Sequence, residues 1–133
     1  MKVNYSIAAK LAGGGIGTTS YNAVSGIFRH GFLNRVYCSS FNRQKIAELP
    51  GLPLSTTHSA LVERIPFLSQ ANKWQIKDSL HDYLVSLNLP PADIFHGWNG
   101  HCLRSLNVSK KRGAATVVER ASSHPSTYEK LLQ

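Results

Sequence analysis

The sequence predicts an α/β fold: Rossmann-like, with a mostly parallel sheet flanked by helices. Three observations carry that prediction. Strand-like runs alternate with helix-like runs along the chain, a pattern that makes consecutive strands parallel neighbours in one sheet. A glycine-rich stretch, "LAGGGIGTTSYNAV", joins the first strand-like run to the first helix-like one, with Gly13, Gly14, Gly15 and Gly17 close together. The length, 133 residues, suits one domain with a core of its own and is too short for two ordinary domains.

Each element has its own local reason. Residues 2–9 read as a first strand running straight into the glycines. Thr18 or Thr19 can cap the next helix, in which Tyr21, Val24, Ile27 and Phe28 recur at helical spacing and which Gly31 ends. Residues 33–41, "LNRVYCSSF", are rich in strand formers. Residues 42–48 suit a short helix, whereas "LPGLPLSTTHS", with two prolines and a glycine, supports only a loop or a short strand. In the helix predicted over residues 73–87, Ile76, Leu80, Tyr83, Leu84 and Leu87 line one face, and "NLPP" ends it because proline cannot continue a helix.

"ADIFHGW", residues 92–98, reads as a short buried strand, followed by a helix over about residues 101–112 that Gly113 closes. "ATVVERA", residues 115–121, is a further strand, and residues 126–133 begin a helix capped by Ser126 or Thr127. That helix stops with the chain and lacks a terminating residue. The expectation is an incomplete N-terminal domain, residues 1–133, whose C-terminal partner lies beyond Gln133.

Composition narrows the class. An apolar fraction of 42% with 17% charged residues fits a soluble globular domain, and no run approaches the roughly 18 apolar residues of a membrane span. Asn4, Ser6 and Lys10 interrupt the apolar N-terminus where a signal peptide would be continuous, so a cytoplasmic start is expected. Cys38 and Cys102 lie far apart without C-x-x-C spacing and are expected to be buried free thiols. Fifteen Lys plus Arg against seven Asp plus Glu give a formal net charge of +8, which favours an anionic partner. Nucleic acid, anionic lipid and a phosphorylated substrate all qualify. Lys110, Lys111 and Arg112 precede Gly113, and His30 precedes Gly31, as cations at helix ends commonly do.

Ligands of parallel α/β sheets bind beyond the carboxyl ends of the strands. The distinctive residues gather at three such ends: the glycines after the first strand, "HGWNGH" after the fourth, and "SSHP" after the fifth. The glycine loop is no Walker A motif, because Thr18 and Thr19 follow Gly17 without the lysine that reaches terminal phosphates. It is a poor dinucleotide fingerprint, because Ser20 takes the third glycine position and no acid follows the second strand. Three readings remain: a variant of the dinucleotide site for a phosphorylated ribose, a tight turn without ligand, or bare backbone presented to a pyrophosphate held mainly by another domain. His101 and Cys102 follow His96 at a spacing of no standard metal site, and no metal is expected. His58 and His81 have no partner motif. The acids are scattered, no carboxylate pair suggests hydrolase chemistry, and only Glu119 falls near the shared rim.

Two segments, "GGGIGTTSYNAVSGIFRHG" and "ADIFHGWNGHCLRSLNVSKKRGAATVVERASSHPSTYEKLL", together resemble the N-terminal domain of the large group-1 glycosyltransferase family with the GT-B fold. The most specific pieces are the D-x-x-H residues Asp93 and His96 and the run "VVERASSHP". The middle of the chain matches only in the order of its elements. The resemblance implies a two-domain enzyme that moves a sugar from a nucleotide-sugar donor to a glycan or lipid-linked acceptor with retention of configuration. It implies no tightly bound metal and no nucleic-acid partner. This chain would be the acceptor-side half, with the donor-binding half absent and the isolated chain inactive. Carried over by position, Gly14, Gly15 and Gly17 would lie near the donor diphosphate. His96 would be the catalytic imidazole, and Trp98, Asn99, Ser123 and His124 would line the acceptor cleft.

One departure bears on that assignment. Many members carry His-x-His where this chain has His96-Gly97-Trp98, and an indole there can stack on a sugar ring instead of handling a proton. The basic surface also fits peripheral contact with an anionic membrane. The alternative function is a non-catalytic binding module for phosphorylated ligands or nucleic acid, although no recognition helix or RNA-stacking pattern is present.

Overall fold

The chain was analysed as a computed structural model that describes residues 1–120. β1 (Val3–Leu11) and β2 (Leu33–Phe41) are long, and β3 (Leu54–Thr56), β4 (Ile94–Trp98) and β5 (Ala115–Glu119) are short. They form one sheet in the order β3-β2-β1-β4-β5, with every neighbouring pair parallel. The fold is therefore α/β with helices on both sheet faces, as the alternation predicts.

The helices are α1 (Ile16–Arg29), α2 (Arg43–Ile46), α3 (Gln70–Asn88) and α4 (Leu103–Lys111), with a 3₁₀ turn at Ser59–Arg64. Two cores follow from the strand period of two. Tyr5, Ile7, Val36, Cys38 and Trp98 point to one face and pack with Val24 of α1. Tyr37 and Phe95 point to the other, where Val85 and Leu89 from the α3 side and Cys102 beside α4 cover them. Full burial of each such side chain contributes about 1.5–3 kcal/mol. Both cysteines are buried free thiols, and burial pushes Cys38 up to about 12 and Cys102 up to about 11, so neither is a thiolate at neutral pH.

The chain passes from β1 through α1 to β2 on one face and from β3 through α3 to β4 on the other. β1 sits between β2 and β4, so the connectivity reverses beside it. The crevice outside the carboxyl ends of β1 and β4 is the switch point at which such sheets receive ligands.

Two helices differ from the sequence expectation, in three respects. α1 starts before either threonine: Gly15 is its N-cap, without a side-chain cap, and Thr18 Oγ1 donates instead to the Gly13 carbonyl at 2.9 Å. α3 starts ahead of residue 73, because Ser69 Oγ accepts the Asn72 amide and caps it. The third difference is one of orientation. Ile76, Leu80, Tyr83 and Leu87 face solvent, while His81, Asp82 and Val85 face the sheet.

The polarity of the covered surface explains that orientation. β1 places Asn4 and Ser6 under α3, and buried polar groups must be paired. The His81 ring bridges Ser6 Oγ (2.9 Å from Nε2) and Thr57 Oγ1 (2.8 Å from Nδ1). The Asp82 carboxylate accepts the Arg104 amide at 2.7 Å, the Ser105 amide at 3.0 Å and the Ser105 hydroxyl at 2.7 Å, so it caps α4 from a neighbouring helix. An apolar stripe turned inward would leave these groups without partners.

Candidate functional site

The four glycines do different work. Gly17 is buried, and a Cβ there would stand 2.2 Å from the Lys10 carbonyl oxygen, so its bareness lets α1 pack against β1. Gly15 has φ 57° and ψ −123°, a conformation costly to any side chain, and it turns the chain into the helix. Gly13 donates its amide to the Lys10 carbonyl. Gly14 and Gly15 are exposed, a Cβ on Gly14 would meet nothing within 4 Å, and among the described residues neither donates its amide to a backbone acceptor. Two open amides thus stand at the positive end of a 14-residue helix, an arrangement suited to an anion.

The second wall comes from β4 and β5. Their parallel register sets Trp98 opposite Glu119 and His96 opposite Val117, with all four side chains on the α1 face of the sheet. Trp98 is 4% exposed, and its indole N–H donates to the Tyr5 hydroxyl at 2.9 Å. The Tyr5 hydroxyl donates in turn to Ser20 Oγ in α1 at 3.3 Å. His96 leans on the Tyr5 ring with centroids 4.6 Å apart, and its Nε2 lies 2.7 Å from Glu119 Oε1. The two atoms are close, but among the described residues Nε2 has no hydrogen-bond partner, so the approach lies off the N–H line.

Between the walls lies a crevice of about 400 Å³, lined by Gly15, Ile16, Thr19, Trp98, Glu119 and Arg120. The glycine loop and the ends of β4 and β5 therefore meet, although the stretches that form them lie about a hundred positions apart in sequence. The Arg120 guanidinium adds positive charge near the open amides, and the Glu119 carboxylate supplies an acceptor for a hydroxyl.

The candidate residues distribute as follows. Gly15 lines the crevice, Gly14 is its exposed neighbour in the chain and is not part of the lining, and Gly17 is spent on packing. His96 lies within β4, not in the loop after it, and touches the crevice through Glu119. Trp98 forms a crevice wall, but its burial and its bond to Tyr5 leave little ring face on which a sugar could stack. Asn99 is exposed, and its amide extends the β4–β5 ladder by donating to the Glu119 carbonyl at 2.8 Å. Ser123 and His124 lie outside the described residues.

Arg120 and the His96–Glu119 contact were not legible in sequence. Glu119 was visible as an acid near the rim, but the strand register that sets it beside His96 was not. Below the rim on the opposite sheet face, His101 Nδ1 accepts the Ala8 amide at 3.1 Å and so fixes the loop after β4 over β1. Burial holds His81 down to about 3 and His101 down to about 4, so both rings are neutral at pH 7. His101 and the Lys77 cation deepen the His81 shift and Asp82 opposes it. Among the described residues no group of three or more His, Cys, Asp or Glu is placed to hold a metal ion, and no helix is long and apolar enough to cross a membrane.

Comparison with protein-family models, with curated proteins and with solved structures gave no match for this chain.

Proposed function

We propose that this chain is the acceptor-side half of a retaining glycosyltransferase that uses a nucleotide-sugar donor. The observation that carries the reading is the crevice itself, where Gly15 at a helix N-terminus shares the lining with Glu119 of β5 and with Arg120, which follows it. Glycosyl transfer breaks the bond between the anomeric carbon and the diphosphate oxygen, forms one to an acceptor hydroxyl oxygen and moves that hydroxyl's proton away. The departing diphosphate needs fixed positive charge and donors, and the Gly14 and Gly15 amides with Arg120 supply both kinds. The proton of the acceptor hydroxyl needs a base, and the Glu119 carboxylate takes it. His96 acts through Glu119 as a positioning residue. The resemblance of the two segments to group-1 enzymes points the same way, and on this reading a separate donor-binding half would complete the cleft.

The test uses the complete gene product, extended beyond Gln133, with a panel of nucleotide sugars and release of nucleoside diphosphate as the readout. The expected result is turnover of at least one donor, with kcat lowered roughly 10²-fold or more by Glu119→Gln and donor KM little changed. A folded two-domain protein that neither binds nor turns over any donor overturns the proposal, and so does a gene product that ends at Gln133.

A further inference from the structure

The outward face of α3 is the most anomalous surface among the described residues. Ile76, Leu80, Tyr83 and Leu87 recur with steps of four, three and four, so that Ile76 to Tyr83 and Leu80 to Leu87 are each one heptad apart. That period forms a straight seam for a partner helix. The seam nevertheless faces solvent, with these four side chains between 37 and 62% exposed. Between α3 and the start of α4 it widens into a groove of about 710 Å³, whose lining includes Ile76, Leu80, Tyr83, Leu103, Asp78 and Arg104.

Charge identifies what covers it. Every exposed residue of α3 is uncharged, and its four charged side chains, Lys73, Lys77, Asp78 and Asp82, are the half-buried or buried ones. A chain of net charge +8 thus presents a long helix face with no charge on it. Nucleic acid and anionic membranes are held by exposed cations. The nearest exposed cation, Arg104, already lies over the Tyr83 ring at 5.4 Å. Depletion of charge with enrichment of Trp and Tyr marks the centre of protein–protein interfaces. Two copies of a strongly basic chain repel wherever their cations meet, and this face avoids that. The groove holds three charged residues, Asp78, Asp82 and Arg104; Asp82 is already bonded to the start of α4, and the other two are of opposite sign.

We infer that the α3 face is a two-fold interface between two copies of this chain, packed α3 against α3 with Leu103 at the margin. A two-fold contact uses the same patch on both copies, and the uniform 76–80–83–87 seam permits that self-pairing. The inference does not depend on the transferase reading, because the crevice lies on the opposite face of the sheet.

The experiment is sedimentation equilibrium of the 133-residue chain over a micromolar to submillimolar range at two salt concentrations. The expected result is a concentration-dependent shift from 14.6 kDa toward twice that mass. Added salt should leave the dimer as tight or tighter, because it screens repulsion between the basic copies. Leu80→Asp and Leu87→Asp, each at an exposed position, should weaken self-association at least tenfold with the helical circular dichroism signal kept. As an arm independent of those variants, Ser79→Cys should give a disulfide-linked dimer on oxidation, since Cys38 and Cys102 are buried. A monomer at every concentration overturns the inference. So does a dimer that survives both aspartate substitutions, or a monomer that pellets with anionic vesicles through this face.

Discussion

Glycine at position 17 and glycine at position 14 make opposite predictions. A Cβ on Gly17 meets the Lys10 carbonyl at 2.2 Å, so Gly17→Ala must push α1 off β1, at a cost of about 1–3 kcal/mol. Gly14→Ala adds a methyl to open space and should change stability by less than about 0.5 kcal/mol. Urea denaturation of the two variants checks the contrast, and equal losses would contradict it. Titration of His81 has a calculable sign. Its ring is neutral in the folded chain, held down to about 3, but binds a proton in the unfolded chain below about 6.5. The unfolded state therefore binds more protons between those values, and stability, full above about 6.5, is lost as pH falls toward 3. The loss from this one ring is on the order of 4 kcal/mol, and His101, held down to about 4, adds to it in the same direction. A urea midpoint unchanged from pH 7 to pH 4 would contradict this.

α4 depends on α3 at the level of elements. The Asp82 carboxylate accepts three hydrogen bonds from Arg104 and Ser105 at the start of α4, which has no cap from its own Cys102. Asp82→Ala should cost about 2–3 kcal/mol, because two backbone donors and a hydroxyl lose a charged partner. Hydrogen exchange should then quicken in α4 before α3. How far the elements could be read in sequence follows from where their causes lie. "LNRVYCSSF" becomes β2 over the residues its composition marks, because strand preference and flanking turns are local. The length of the helix around residues 73–87 was legible except for its Ser69 cap, but the direction of its apolar stripe was not. Periodicity shows that a stripe exists and is silent about which surface covers it. Here Ser6 and Thr57, distant in sequence, decided that His81 turns inward.

The whole molecule joins these parts into one parallel sheet with a single connectivity reversal. From that reversal the sequence allowed the glycine loop and the end of β4 to be placed at a common rim. What it did not disclose was the register of β4 on β5, which sets Glu119 against His96, or the burial of Trp98 against Tyr5. Those are contacts between strands, and no local pattern encodes them. The central claim is that the rim accepts a diphosphate on the open amides of the glycine loop. It is tested most directly by following the amide resonances of the 133-residue chain while inorganic pyrophosphate is added at millimolar concentrations. The account predicts that Gly14 and Gly15 move first and furthest, with the Arg120 amide following and those of α3 unmoved. Stationary Gly14 and Gly15 resonances, or shifts centred on α3 and α4 instead, would contradict it.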